Sequence, residues 1–206
     1  MNREELLNAV SAIRKIMVRN AGHLAELDGR YGDGDLGITM KQGFDAIKNY
    51  IENSSEKDLG LLLRGCSGEF NEAAPSTLGT IMSFILIGMA KELKGKEDAN
   101  LGEVAGAMEA GINLVMEKAQ SAPGDKTILD SICPAVNVLK ENAQNNKGDA
   151  FQKAYEAAAL GVEETKAMKA KHGRIAYYGD QSIGSIDAGA EAGMLIFKAL
   201  AKLYAN

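Results

Sequence analysis

The spacing of apolar residues constrains this chain more than any other feature. Leu6, Val10, Ile13 and Met17 recur three or four residues apart, which places them on one face of a helix. The same spacing returns at Met40, Phe44, Ile47 and Ile51, at Val104, Met108, Ile112 and Val115, and at Met194, Phe197, Leu200 and Leu203. No stretch alternates apolar and polar residues in the period of two that a half-buried strand needs. The pattern predicts an all-α chain of eight helices. They start near Asn2, Met40, Leu59, Thr77, Asn100, Thr127, Asp149 and Asp187. Three starts carry capping signals: Asn2 with Glu5, Asn100 with Glu103, and Thr127 with Asp130. The fourth helix, Thr77 to Leu93, is apolar nearly all round and is expected to be the most buried. The seventh is expected to run from about Asp149 to Ala170.

With 206 residues, no internal repeat and no linker rich in Gly, Pro or Ser, one domain over residues 1–206 is the simplest organisation. Lys and Arg number 23 against 28 Asp and Glu, so 23 − 28 leaves a net charge of −5. That balance argues against a nucleic-acid partner held by a broad basic face. The most apolar run, Ile81 to Ala90, is too short to span a bilayer and stops at Lys91, so no membrane role is expected. Cys66 and Cys133 form neither a disulfide framework nor a zinc motif. The start, Met-Asn-Arg-Glu-Glu, has no basic and apolar leader, and the expected location is the cytoplasm.

Glycine departs from the uniform helical picture. Many of the 23 glycines cluster in loops that also carry carboxylates. The first such loop, Leu27 to Met40, sets Asp28, Asp33 and Asp35 among Gly29, Gly32, Gly34 and Gly37. Glycines let such a loop fold tightly enough for the three carboxylates to converge, and a hard divalent cation favours oxygen ligands. A solvated acidic turn is the competing reading. An EF-hand is excluded, because counting Asp33 as its first position puts Phe44 at the twelfth, where a glutamate belongs.

The second loop, Asn71 to Thr80, opens the most apolar helix. Ser76 or Thr77 can cap it, and its free N–H groups can meet an anion. The third, Pro123-Gly124-Asp125-Lys126-Thr127, ends like a phosphate-binding loop but lacks the Gly-x-x-x-x-Gly-Lys spacing and a preceding strand. The fourth runs for about fifteen residues from Gly173 to Asp187 between helical stretches, a length often tied to function. Arg174 can reach a phosphate or carboxylate there, and Asp187 can cap the last helix. His23 and His172 stand isolated, without metal-ligand spacing, and read as ordinary surface or core histidines.

Taken together, the four loops resemble the DhaL family, the small nucleotide-binding subunits of bacterial dihydroxyacetone kinases, and the C-terminal domains of single-chain dihydroxyacetone kinases. The matching residues are Leu27-Asp28 with Gly32-Asp33-Gly34-Asp35-Leu36-Gly37, Pro123 to Thr127, Gly173-Arg174, and Ser182-Ile183-Gly184 with Asp187-Ala188-Gly189. They occur in the family's order across nearly the whole chain. The resemblance implies an antiparallel barrel of eight helices with nucleotide bound in the loops at one end. It implies that Asp28, Asp33 and Asp35 hold two Mg²⁺ ions that bridge the phosphates of ADP or ATP. Leu36, Gly37, Ile38 and Thr39 match one backbone cradle for those phosphates. Ala73, Ala74, Ser76 and Thr77 match a second, although the family's Ala-Ser-Gly-Pro is Ala74-Pro75-Ser76-Thr77 here. Ile128 falls beside the adenine, and Arg174, Asp187, Ala188 and Gly189 match further nucleotide contacts. The family's Asp-Pro-Gly turn is Asp187-Ala188-Gly189 in this chain.

The same resemblance implies transfer of a phosphoryl group to dihydroxyacetone held by a histidine of a separate K subunit. Neither histidine of this chain lies in a matched motif, so the acceptor site is expected on that partner. A phosphohistidine carrier protein, the M subunit of the phosphoenolpyruvate phosphotransferase system, is a possible source of phosphate, with ATP exchange as the alternative. A homodimer is a further possibility. A kinase subunit for another short ketose and a non-catalytic nucleotide-sensing module are the competing functions.

Overall fold

The computed structural model describes residues 1–205. Eight α-helices account for most of the chain: α1 (Arg3–Asp28), α2 (Leu36–Asn53), α3 (Leu59–Ala73), α4 (Thr77–Glu92), α5 (Leu101–Ala119), α6 (Leu129–Glu141), α7 (Lys147–Glu164) and α8 (Ala188–Tyr204). Among the described residues there is no strand, only an isolated bridge between Asn2 and Asp98. Four of the expected caps form. Asn2 accepts from the Glu5 N–H, Ser76 from Gly79 and Asp187 from Ala190, and Asn100 and Glu103 make a reciprocal box.

Each helix packs on the next in chain order, and α8 closes back on α1, so the eight form a ring. Short connections make neighbours antiparallel. The 53–59, 92–101 and 141–147 connections gather at one end. There the Arg3 guanidinium donates to the carbonyls of Ile51 (2.6 Å) and Ser54 (2.7 Å), and Lys147 pairs with Glu5 (3.0 Å). The 28–36, 73–77, 119–129 and 164–188 connections therefore fall at the other end. Inside the ring, apolar side chains including Val10, Phe44, Met82 and Phe197 surround a cavity of about 140 Å³.

Four sequence expectations need correction. Helix α2 begins at Leu36, a turn before the first regularly spaced apolar residue. Helix α7 stops at Glu164 and passes into a short 3₁₀ turn, Thr165–Ala167, because Thr165 turns inward and bonds the Val162 carbonyl. The Gly173 to Asp187 stretch is not structureless: Arg174–Ser182 is 3₁₀ helix broken at Gly179 (φ +57°). Helix α4 is not the most buried element. Its residues Phe84 to Ile87 are only half-buried, whereas α8 buries 10 of its 17 residues.

Candidate functional site: an acidic cavity at the loop end

The loop after α1 folds back on itself through main-chain bonds. The Tyr31 and Gly32 N–H groups donate to the Asp28 carbonyl at 3.1 and 2.6 Å. A Cβ at Gly32 would sit 2.6 Å from Asp28 Oδ1 and 3.0 Å from the Asp28 carbonyl oxygen, so a larger residue there would push the Asp28 carboxylate aside. Gly34 takes φ +73°, a conformation that glycine adopts freely. The result brings Asp28, Asp33 and Asp35 together, with one carboxylate oxygen from each lying within 4.8 Å of the others. Asp35 feels the crowding. Partial burial, then the charges of Asp33 and Asp28, raise its carboxyl above the usual range, and Arg174 opposes them. Three converging carboxylates are the oxygen-rich set that a hard divalent cation takes.

These aspartates sit at the start of α2, whose N-cap residue Asp35 makes no side-chain bond to the first turn. The free N–H groups and the helix dipole make this an anion-binding end. Across the cavity, the Arg174 guanidinium reaches Asp33 Oδ2 at 2.5 Å. Tyr31 ties the same 3₁₀ segment down, donating to the Gln181 carbonyl at 3.0 Å and stacking edge-on with Tyr178.

The cavity these loops enclose measures about 480 Å³, within the range for a small-molecule ligand. It brings together Asp28, Asp33, Asp35, Leu36, Thr39, Ser76, Thr77, Ile128, Arg174, Asp187, Ala188 and Gly189 from all four loops. It does not include Gly37, Ile38, Ala73 or Ala74. Gly37 faces α1, where a Cβ would lie 2.1 Å from the Ala21 carbonyl oxygen, and Ile38 is 56% exposed. Ala74 is buried beneath α4 and Ala73 is half-buried at the end of α3. None of these four residues lines the cavity with a side chain. The Asp187 side chain is likewise occupied: it is buried, and Oδ2 caps α8 through the Ala190 N–H at 2.7 Å.

Sequence reasoning missed several walls of this cavity. Tyr31, Pro75, Lys126, Thr127 and His172 all line it. His172 is not isolated: its Nε2 lies 3.2 Å from Asp125 Oδ2. Lys171 approaches the other Asp125 oxygen at 2.6 Å. Although burial pushes the Asp125 carboxyl up, the bonds from Lys171, Ala122 and His172 outweigh it and hold the group below the usual range. Lys126, in the left-handed region at φ +62°, is 1% exposed. Burial lowers its ammonium below the ordinary lysine range, and the charges of Asp187 and Asp130 act the other way. The expected Thr127–Asp130 box is also modified. Asp130 accepts from the Thr127 N–H (2.6 Å) and from Gly124 (2.5 Å), while Thr127 Oγ1 accepts from Leu129 rather than from Asp130 (3.2 Å).

A closed ring of helices with a carboxylate-rich, partly main-chain-lined cavity at one end defines a class of helical domains suited to a metal-bound polyanion. The match to a known family is direct: residues 30–202 fit the DAK2 domain, and the chain belongs to that family. It is 26% identical over 203 residues to the PEP-dependent dihydroxyacetone kinase, ADP-binding subunit DhaL of Escherichia coli K12, covering 98% of this chain and 97% of that subunit. It is 32% identical over 183 residues to the triokinase/FMN cyclase of Mus musculus, covering 86% of this chain and 31% of that protein. The fold is shared with the crystal structure of the C. freundii dihydroxyacetone kinase in complex with AMP-PNP and Mg²⁺. The TM-score is 0.76 at 24% identity, over 95% of this chain. The chain spans only about a third of those two larger proteins, but nearly the whole of the E. coli subunit.

Proposed function

We propose that this chain is the nucleotide-binding subunit of a dihydroxyacetone kinase, working with a separate subunit that holds the ketose. The observation that carries this reading is the convergence of Asp28, Asp33 and Asp35 at the uncapped start of α2, opposite Arg174. The near full-length likeness to a subunit named as ADP-binding and PEP-dependent supports it. Asp28, Asp33 and Asp35 would hold Mg²⁺, as two ions, and the cavity would take ADP or ATP. Bound there, the metal neutralises the negative charge that spreads over a transferring phosphoryl group. The aspartates act as ligands and not as bases. The N–H groups opening α2 orient the phosphates, and Arg174 supplies a planar cation that can leave Asp33 for a phosphate oxygen. Ile128 and the 187–189 turn form the wall for the nucleoside. The cavity holds the reacting groups in place, which is most of what phosphoryl transfer asks of a protein.

His172, the histidine that lines the cavity, is bonded through Nε2 to Asp125. In this reading the acceptor arrives on the K subunit, as the family resemblance implies. The likeness to a PEP-dependent relative favours recharging of bound ADP in place by a phosphohistidine carrier, the M subunit, over exchange with free ATP. No helix among the described residues is long and apolar enough to cross a membrane, which suits a complex working in the cytoplasm.

Denaturing the purified protein and separating what it releases by chromatography tests the reading. Retained ADP is expected, together with Mg²⁺-dependent rebinding by calorimetry. Failure to bind ADP in the presence of Mg²⁺ would overturn it. Inactivity in ketose phosphorylation with the K subunit and carrier present, despite tight ADP binding, would instead make the chain a nucleotide sensor.

A further inference from the structure

A lysine beside a phosphate cavity, following Gly124-Asp125 and preceding Thr127, invites assignment as a phosphate ligand. The geometry excludes that role for Lys126. Its ammonium donates to the Thr165 carbonyl at 2.6 Å and to the Ser185 carbonyl at 2.5 Å, and the residue is 1% exposed. Two of its three donors are engaged, and at 1% exposure the residue has little surface left to offer an anion. The same wall is tied at a third point, where the Asp187 N–H donates to Thr165 Oγ1 at 3.0 Å. Lys126 thus joins its own loop, the end of α7 and the stretch entering α8. Its left-handed backbone fits a position held in place by its surroundings, since such a conformation costs a non-glycine residue free energy.

We propose that Lys126 is a positioning residue for the nucleoside end of the ligand: it bolts the 185–189 turn against the Ile128 wall. The turn is close enough to Ile128 that a Cβ on Gly189 would lie 3.3 Å from the Ile128 nitrogen. Without the bolt, Ser185 and Thr165 lose their shared partner, and the turn can draw away from Ile128. The aspartates and the start of α2, on the opposite wall, carry no contact to Lys126 and keep their arrangement. The inference rests on the nucleotide-binding reading above and adds to it a division of labour between the two walls.

The test compares Mg²⁺-ADP with Mg²⁺-pyrophosphate by calorimetry for the full chain, Lys126→Met and Lys126→Gln, with helical content checked by circular dichroism. ADP affinity should fall about tenfold in Lys126→Met while pyrophosphate affinity stays within about twofold. Lys126→Gln, which keeps a donor, should fall between the parent and Lys126→Met, and it is read alone where Lys126→Met does not fold. Loss of pyrophosphate binding in a folded variant would make Lys126 a phosphate ligand after all and overturn the proposal. Unchanged affinity for both ligands would overturn it as well. A parent protein that binds neither ligand would overturn the nucleotide reading underneath.

Discussion

Asp187 carries the most displaced carboxyl in the site. Burial pushes it up to about 6 from an ordinary 3.8, and the bond from Ala190 and the charge of Lys126 only partly oppose this, while Asp130 adds to it. Between those two values the folded protein binds a proton that the unfolded chain has lost. Stability from this group therefore falls as pH rises from 4 to 6 and levels off above. Asp187→Asn keeps an amide oxygen that can cap α8 but removes the titration. In urea denaturation the parent should lose up to ~3 kcal/mol relative to Asp187→Asn across that range. Parallel curves for the two proteins would show that the carboxyl is not held above its ordinary value. On the metal side, Asp33→Ala should abolish Mg²⁺-dependent ADP binding and leave helical content intact, by calorimetry and circular dichroism. Arg174→Ala should weaken ADP by roughly tenfold, the size of a charge-assisted bond to phosphate, with little change in stability, because its partner Asp33 is exposed. What the sequence disclosed at this scale followed distance along the chain. Asp28, Asp33 and Asp35 lie within eight residues and were legible as a group. His172 meets Asp125 across 47 positions, and Lys126 meets Thr165 and Ser185 across 39 and 59, so no local pattern announces either.

Among the elements, glycine decides where helices touch. Gly88 and Gly111 bring α4 and α5 into backbone contact, and a Cβ on Gly88 would lie 2.4 Å from the Gly111 Cα. Neither backbone can give locally, so Gly88→Ala should destabilise by about 1–3 kcal/mol or more. Gly106, also within α5, would place its Cβ with no neighbour inside 4 Å. Gly106→Ala should stabilise by about 0.5–1 kcal/mol, since only the helix-propensity penalty of glycine is removed. Urea midpoints for the two variants should move in opposite directions, and shifts of the same sign would contradict the packing described. The helices themselves were largely legible because their apolar spacing is regular. The exceptions are instructive. The first turn of α2, Leu36-Gly37-Ile38-Thr39, hides its helix behind a glycine and a β-branched pair, and Gly37 is there to admit Ala21 of α1. The segment Arg174–Ser182 owes its shape to Tyr31 and Asp33, which lie in a distant loop.

For the molecule as a whole, closing the ring places four of its seven connections on one wall-to-wall cavity and leaves three at the far end with capping and ion-pair contacts. The sequence contained the helices and their order, but the closure of α8 on α1 depends on packing between residues at opposite ends of the chain. Periodicity alone does not specify it, and only the family resemblance anticipated it. The geometry has a thermodynamic consequence. A ligand that binds the folded chain alone stabilises it by mass action, by ~2.7 kcal/mol at a hundredfold excess over its dissociation constant. For a domain of this size that corresponds to roughly 5–10 °C in melting temperature. Mg²⁺ and ADP together should produce that rise, with EDTA or Asp33→Ala erasing it. Under the same conditions, amide hydrogen exchange should slow in residues 28–39, 74–78, 122–130 and 172–190, and stay unchanged at 53–59, 92–101 and 141–147. Uniform slowing at both ends would mean that the ligand tightens the entire ring, and slowing confined to the far end would place the ligand outside the acidic cavity.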